Sequence, residues 1–379
     1  MSQLLAGLPA TSYYAPRARI EIENRELTAE ALADLISVSV SLDADSRALA
    51  SFSLTVNNWD AARLAFKYSD SELFDVGRTV HVQLGYADRV VSMMRGIITS
   101  LSPKFPESGA PTLAVSGQDL LVLLRDRKPK ANEQRKFSGQ TDGEIAEVIA
   151  KRNNLTPIVD RDGEPHPQVF QRDLDDLQFL IERAKRSDFD CYIANDPDGG
   201  KDQLHFKRPS DGRDAQTIRI YTLAWGKNLV TFSPQITIAR QVASVEVRGW
   251  DPMTKQVIVG KATLDDLPGR AGKGTSGPQL TKDRLRDKQD TVVQAPIHST
   301  REANDLAKAL LRKRAYDFVT GSGQCIGQPE MRPGDNIRLS GLGVRYDGDY
   351  YITRTTHTFG GAGYLTDFEV RRIYDGGLA

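Results

Sequence analysis

Short runs in which apolar and polar residues alternate recur from Arg17 to about Lys128, and again from about Thr217 to the end of the chain. Alternation of this kind puts one apolar row on one face, so each run predicts a half-buried antiparallel strand. In the first region the runs are Arg19 to Glu23, Ile36 to Leu42, Ser51 to Val56, Thr79 to Tyr86, Ile97 to Leu101 and Thr112 to Ser116. Breaks at Asn57-Asn58, Gly77, Gly85 and Ser108-Gly109 separate them, and the set predicts a small antiparallel barrel. The apolar run Gln118 to Leu124 is too short for periodicity to settle and fits a helical turn that leaves the barrel. Near the other end, Met331 to Arg372 carries three more such segments, Ile337 to Leu339, Tyr350 to Thr355 and Leu365 to Val370, between Gly and Asp clusters.

Between the two β regions the period changes. Thr141 with Glu144 forms a capping box ahead of a helix bearing Ile145, Val148 and Ile149 on one face. A second helix is predicted from about Leu174 to Arg186, followed by a hairpin of Cys191 to Ala194 and Leu204 to Lys207. The segment 265–290 lacks apolar periodicity and reads as an exposed, flexible loop. Ser299 with Glu302 then caps a helix carrying Ala303, Leu306, Ala307, Leu310 and Leu311. The fold class is α+β, mainly β, with an N-terminal arm (1–16), a first barrel (17–128), an inserted α/β module (129–212), a second barrel with a helix (213–264 and 291–379) and the loop.

The two β regions echo each other, and a repeat is sought before any single motif is trusted. Ile36 to Val40, then Ser51 to Val56, ends at Trp59-Asp60; Ile236 to Ile238, then Ser244 to Arg248, ends at Trp250-Asp251. Gly77 opens a strand as Gly334 does, and Gly96 matches Gly348. The shared Trp-Asp at a strand end points to duplication.

Composition narrows the function classes. Fifty basic residues balance fifty acidic ones, so there is no cationic surplus of the kind that marks a nucleic-acid or membrane-surface protein. Arg125 to Lys130 and Arg312 to Arg314 have acidic surroundings and no interleaved aromatics, and read as solvated faces or subunit salt bridges. Cys191 and Cys325 are too few for a disulfide scaffold or a zinc site. The N-terminus lacks a signal-peptide pattern and no apolar stretch of about 18 residues occurs, so no membrane anchor is expected. The chain is expected to be made in the cytoplasm and to stay soluble unless a machine carries it out.

Candidate chemistry is thin. The loop Gly269 to Thr275 lacks the glycine and the hydroxyl that a phosphate-binding loop requires, since Leu267 and Gly274 stand there. Asp160 to Gly163 and Asn195 to Gly199 do not continue to an EF-hand carboxylate and read as turns. His81, His166, His205, His298 and His357 show no metal-ligand spacing, and His357 falls on an alternating strand where a packed or hydrogen-bonded role is expected. Neither cofactor, metal nor catalytic residue is assigned. Two alternatives stay open: a peptidoglycan hydrolase with its acids in 129–212, and a β protein that binds carbohydrate or a cell surface.

The segment from Ala224 to Ile258, AWGKNLVTFSPQITIARQVASVEVRGWDPMTKQVI, and the closing PGD, YDGDYYITRTTHTF and GYLTDFEVRR elements resemble the phage late-control protein D family. The same elements occur in the N-terminal half of the VgrG spike proteins of type VI secretion. The stretch VFQRDLDDLQFLIERAKRSDFDCYI is similar to that family's middle module, in which an Asp and a Phe-Leu pair precede a helix. The resemblance covers most of the chain and places Trp225, Gly226, Trp250, Asp251, Gly334, Gly348, Tyr350, His357 and Tyr364 at structural motif positions. It implies two tail-tube-like barrels per chain and a homotrimeric baseplate hub, pseudo-sixfold, between a hexameric inner tube and a trimeric spike, with other baseplate proteins as partners. No Val-Gly repeats or β-helix follow, so the spike is expected to be a separate polypeptide. No nucleic-acid recognition is implied, and the chain is expected to end up in a phage tail or contractile injection particle.

Overall fold

In the computed structural model, the alternating runs from both ends of the chain join a single 13-stranded sheet. The structure describes residues 15–377 except 45–48, 88, 126, 131–134, 195–200, 210–219, 252–253, 269–273, 286–287 and 294–296. Most of the N-terminal arm therefore lies outside the described residues, as do the turn at 195–199 and most of the glycine-rich loop at 269–275.

The first half of the sheet is built from β1 (Pro16–Ile22), β2 (Leu35–Asp43), β3 (Ser51–Asn57), β4 (Thr79–Tyr86), β5 (Arg89–Lys104) and β6 (Thr112–Asp119). Their order in space is β2-β3-β6-β5-β4-β1. β5 pairs with β4 through its first part and with β6 through its second, so the sheet turns over along this long strand. Alternation decides what the turn encloses: Val38 and Val40 of β2 point inward with Leu54, Val82, Leu84 and Val115, while Ser37, Ser39 and Ser41 face away.

Asp119 caps the short 3-10 turn Leu120–Leu124 that leaves this half, in agreement with the sequence reading. The inserted module follows, with β7 (Thr156–Val159), β8 (Asp190–Ala194) and β9 (Gln203–Lys207) in one small sheet. Its helices are α1 (Asp142–Arg152) and α2 (Asp176–Ser187), each opened by a capping box, from Thr141 and from Asp175. The Phe-Leu pair expected ahead of a helix, Phe179 and Leu180, lies inside α2 and is buried in the module's own core.

The second half repeats the first. β10 (Ile220–Ala224) and β11 (Leu229–Ile236) begin it, and β15 (Val319–Ile326), β16 (Asn336–Ser340), β17 (Gly348–Gly360) and β18 (Gly363–Arg372) complete it. Its spatial order, β11-β15-β18-β17-β16-β10, matches the first half strand for strand in the same chain order. Between β11 and β15 lies a separate layer: β12 (Ser244–Asp251), β13 (Gln256–Ala262) and β14 (Gln289–Val293) in a three-stranded sheet. Helix α3 (Gly277–Leu285) lies between the last two strands in sequence, and α4 (Thr300–Tyr316) covers this sheet, its Leu311 sharing a core with Val245 and Val247.

Register carries the repeat to single residues. The pairing shifts at Leu35/Ser37 on β2 and at Leu229/Thr231 on β11, and again at Ile98/Ser100 on β5 and Ile352/Arg354 on β17. These are the same positions once the halves are laid over each other through their ladders. Gly77 N donates to Ile98 O at 2.8 Å, and Gly334 N to Ile352 O at 2.9 Å. Ile98 N and Ile352 N return bonds of 2.9 Å to Arg78 O and Asp335 O. A bulge inserts an unpaired residue and sharpens the twist, so matched bulges turn both halves at matched places.

Three expectations change. The strand equivalent to β3 is β15, and Ser244–Asp251 belongs to the inserted layer. The shared Trp-Asp is therefore no part of the repeat: Trp59-Asp60 sits in a two-residue ribbon with Ala65-Phe66. Gly96 corresponds to Tyr350 by register, because β4:β5 pairs Thr79 with Ile97 where β16:β17 pairs Asn336 with Tyr351. The segment 265–290 holds α3, whose buried residues are Gly277, Pro278 and Thr281, too small to show an apolar period. Each half is a sheet folded over its long strand; among the described residues no ladder pairs β1 with β2 or β10 with β11, and β10 runs parallel to β16.

Gly77 and Gly334 hold φ of +86° and +91°, with no atom closer than 3.8 Å to an added Cβ. The backbone conformation alone therefore sets the cost of a side chain. Gly77→Ala and Gly334→Ala should each lower stability by about 1–2 kcal/mol in urea unfolding, and equal cost at the two sites is the expected signature of the repeat.

Candidate functional site

The two halves meet where β17 pairs antiparallel with β2, from Arg354 opposite Asp43 to Phe359 opposite Val38. One face of this joint is apolar or closed: Thr355 and His357 are buried beside Leu42, Val40 and Val38. The other face is polar, with Arg354, Thr356 and Thr358 opposite Asp43, Ser41 and Ser39. Arg354 donates to Asp43 Oδ2 through Nη2 at 2.9 Å and to Glu369 Oε1 through Nη1 at 3.2 Å. Further bonds cross the halves away from this ladder. Tyr86 Oη donates to Gly327 O at 2.9 Å, Arg332 Nη2 to Ser92 O at 2.8 Å, and Arg89 pairs with Glu330 at 2.6 Å.

His357 sits in the closed face of the joint. Nε2 lies 3.1 Å from Met331 O, a pure acceptor, so it carries the proton and donates. Nδ1 then accepts from Tyr364 Oη at 2.8 Å. Complete burial, with the Arg332 guanidinium nearby, pushes the imidazole down to about 3 against the opposing bond to Met331. The ring is a neutral structural link.

The hydroxyl-rich polar face runs beyond the joint. It continues over Ser51, Ser53 and Thr55 of the first half and over Thr231, Ser233, Thr320 and Ser322 of the second, all partly exposed or exposed. Its charged residues near the joint have partners: Asp367 accepts from the Gln324 amide at 2.9 Å, and Arg354 spans Asp43 and Glu369.

The motif residues named from the sequence fall into two groups. Gly334 (φ +91°), Gly348 (φ +127°), Tyr350, His357 and Tyr364 all belong to the second half's meander. Tyr350 is buried under the Arg372 guanidinium, 4.3 Å from the ring centre, and its hydroxyl donates to Tyr346 O at 2.7 Å. Trp225 and Gly226 (φ +77°) form the turn from β10 to β11, with Trp225 N donating to Ser340 O at 3.0 Å. Trp250 and Asp251 stand apart in the inserted layer, where Asp251 accepts the Thr254 hydroxyl at 2.7 Å. Sequence reading missed Asp43, Arg354 and Arg332, since nothing local marks a bond between residues 311 positions apart.

A cleft of about 520 Å³ separates the α/β module from α4, lined in part by Asp142, His166, Arg186 and Glu302. A hydrolase's general acid needs a carboxyl kept protonated near neutrality, and Asp142 is held the other way. Burial raises the Asp142 carboxyl, but His166 and Arg183 outweigh it and hold it down to about 2. Glu302 is paired with Arg186 at 2.7 Å and Asp176 with Arg135 at 2.7 Å. Among the described residues no group of three or more His, Cys, Asp or Glu is placed to hold a metal ion, and no helix is long and apolar enough to cross a membrane.

The buried histidine makes stability depend on pH. The folded state holds His357 near 3 against an ordinary 6.5, so its contribution is complete above 6.5 and is lost as pH falls toward 3. His357→Gln should remove that component, and thermal melts of the two proteins at pH 7 and pH 4 should show a smaller acid loss in the variant. An equal loss would place the titration elsewhere.

Solved structures share this fold. The 43 kDa tail protein of prophage MuSo2 from Shewanella oneidensis matches with a TM-score of 0.68 at 15% identity, over 94% of this chain and 98% of that one. A tail protein from Neisseria meningitidis matches at 0.66 and 14% identity, over 95% and 97%. A component of the type VI secretion system of E. coli matches at 0.57 and 12% identity, over 93% and 76%. At such identities the likeness is one of fold: a mainly β phage-tail-protein architecture. No curated protein matches. A family model described as the Alg8 N-terminal domain matches residues 16–360, and the chain belongs to that family.

Proposed function

We propose that this chain is a structural, non-catalytic hub of a contractile tail or injection particle, of the late-control protein D kind. Three copies form a ring, with a hexameric inner tube stacking on one face and a trimeric spike attached at the other. The observation that carries this reading is the repeat: two half-sheets of one topology, with bulges at matched positions, lie side by side in one chain. Three such chains present six similar units about a threefold axis, which suits a partner of either symmetry. The hydroxyl-rich face supports a channel lining, because small neutral polar side chains give a passing chain little to grip. The tail-protein fold agrees with a place among tube, spike and other baseplate proteins.

Native mass spectrometry of the purified chain, alone and mixed with its spike, tests the proposal. A trimer is expected in at least one of the two samples at micromolar concentration; a monomer in both would overturn the ring. In a cell-wall digestion assay no hydrolysis is expected, and robust activity abolished by Asp142→Asn would replace the hub with an enzyme.

A further inference from the structure

The repeat leaves two strand edges that correspond to a joint already made within the chain. In the second half, the far part of β17 pairs on one side with β18 and on the other with β2. The matching part of β5, beyond Ile98, pairs with β6 on one side, and among the described residues no strand covers the other. The counterpart of β2 is β11, which among the described residues pairs with no strand but β15. We infer that copies join head to tail by seating Ser100–Phe105, the end of β5 and the residue after it, of one copy against Phe232–Thr237, the end of β11 and the residue after it, of the next. This rests on the ring reading above and names its interface.

The matched bulges fix the register. Arg354 corresponds to Ser100 and Asp43 to Thr237, so the rungs become Ser100 opposite Thr237, Leu101 opposite Ile236, Ser102 opposite Gln235, Pro103 opposite Pro234, Lys104 opposite Ser233 and Phe105 opposite Phe232. The residues fit this frame. Positions matching the closed face of the internal joint are Leu101, Pro103 and Phe105 on one edge and Ile236, Pro234 and Phe232 on the other, all apolar. Positions matching the polar face are Ser100, Ser102, Lys104, Thr237, Gln235 and Ser233, all polar. Phe105 is 62% exposed in the single chain, a large apolar side chain left at the rim of an open edge.

The joint between copies differs in kind from the one within the chain. A proline inside a strand turns its missing donor to the open side, so Pro103 and Pro234 each remove a rung bond at facing positions. Ser100 and Thr237 replace the Arg354–Asp43 pair, so no ion pair closes the end. Apolar contact therefore holds the joint, and assembly should change little with salt.

Ser102 and Gln235 are exposed and face each other on the polar side, so cysteines there test the register directly. The native Cys191 and Cys325 are buried. In the S102C/Q235C protein, mild oxidation should give disulfide-linked dimers and trimers on a non-reducing gel, while either single variant stays uncrosslinked. A trimer in native mass spectrometry without crosslinks in the double variant would overturn this joint and leave the ring standing; a monomer without crosslinks, both alone and mixed with the spike, would overturn both. Crosslinked S102C alone would show a face-to-face contact and overturn the head-to-tail joint. Phe105→Asp should raise the concentration for half-assembly about tenfold or more with the melting temperature of the separated chain unchanged, and unaltered assembly would count against the apolar row.

Discussion

The pairing of β17 with β2 is the constraint on which the rest of the molecule depends. It joins residues more than 300 positions apart in sequence, Arg354 with Asp43, and turns two half-sheets into one. Its closed face holds His357, whose two ring nitrogens tie Met331 and Tyr364 to the joint. A buried imidazole without those partners would cost about 1–3 kcal/mol, since unsatisfied polar groups in a core are expensive. The α/β module and the inserted layer hang from this frame: Tyr351 Oη donates to Asp190 of the module at 2.6 Å, and Arg312 of α4 pairs with Asp188 at 2.9 Å.

The repeat keeps geometry while exchanging volume. On the ladder of β3 with β6, Phe52 faces Gly117, and a Cβ on Gly117 would lie 2.4 Å from the Phe52 ring. At the matching rung of β15 with β18, Gly321 faces Val370, and a Cβ there would meet the Phe232 ring at 2.7 Å. The glycine has moved to the other strand, and an aromatic ring from a neighbouring strand covers it. Cores tolerate such exchanges when total volume is kept.

This exchange also explains what was legible. The strands of the first half, both module helices and the closing meander follow from alternation and capping, which are local. β15, VTGSGQCI, does not read as a strand, because its glycines contribute no apolar row. Its inner face is supplied by Phe232 and Phe368 lying over Gly321 and Gly323. With β15 hidden, Ser244–Asp251 offered the nearest alternating run and was matched to β3 in its place. Gly77 and Gly334 were matched correctly because a positive φ leaves a glycine in both halves. Of the joint itself only His357 was visible, as a histidine on an alternating strand; its neighbours Asp43 and Arg354 look like any charged residues.

Two kinds of edge follow from one topology, and they suit different stages of assembly. The internal joint forms as the chain folds and is fixed by a full ladder, a buried histidine and an ion pair. The open edges of β5 and β11 must remain soluble until a second copy arrives, yet an unprotected strand edge pairs with almost any other. Pro103 and Pro234 bear on that conflict: each removes a donor from its edge, so a stray strand forms one bond fewer at that rung, and in the proposed ring a copy that forgoes both bonds of the Pro103–Pro234 rung is held instead by aligning apolar row with apolar row. Selectivity at the edge thus comes from side-chain register, which the bulges set, and a common edge-strand liability becomes a directed contact.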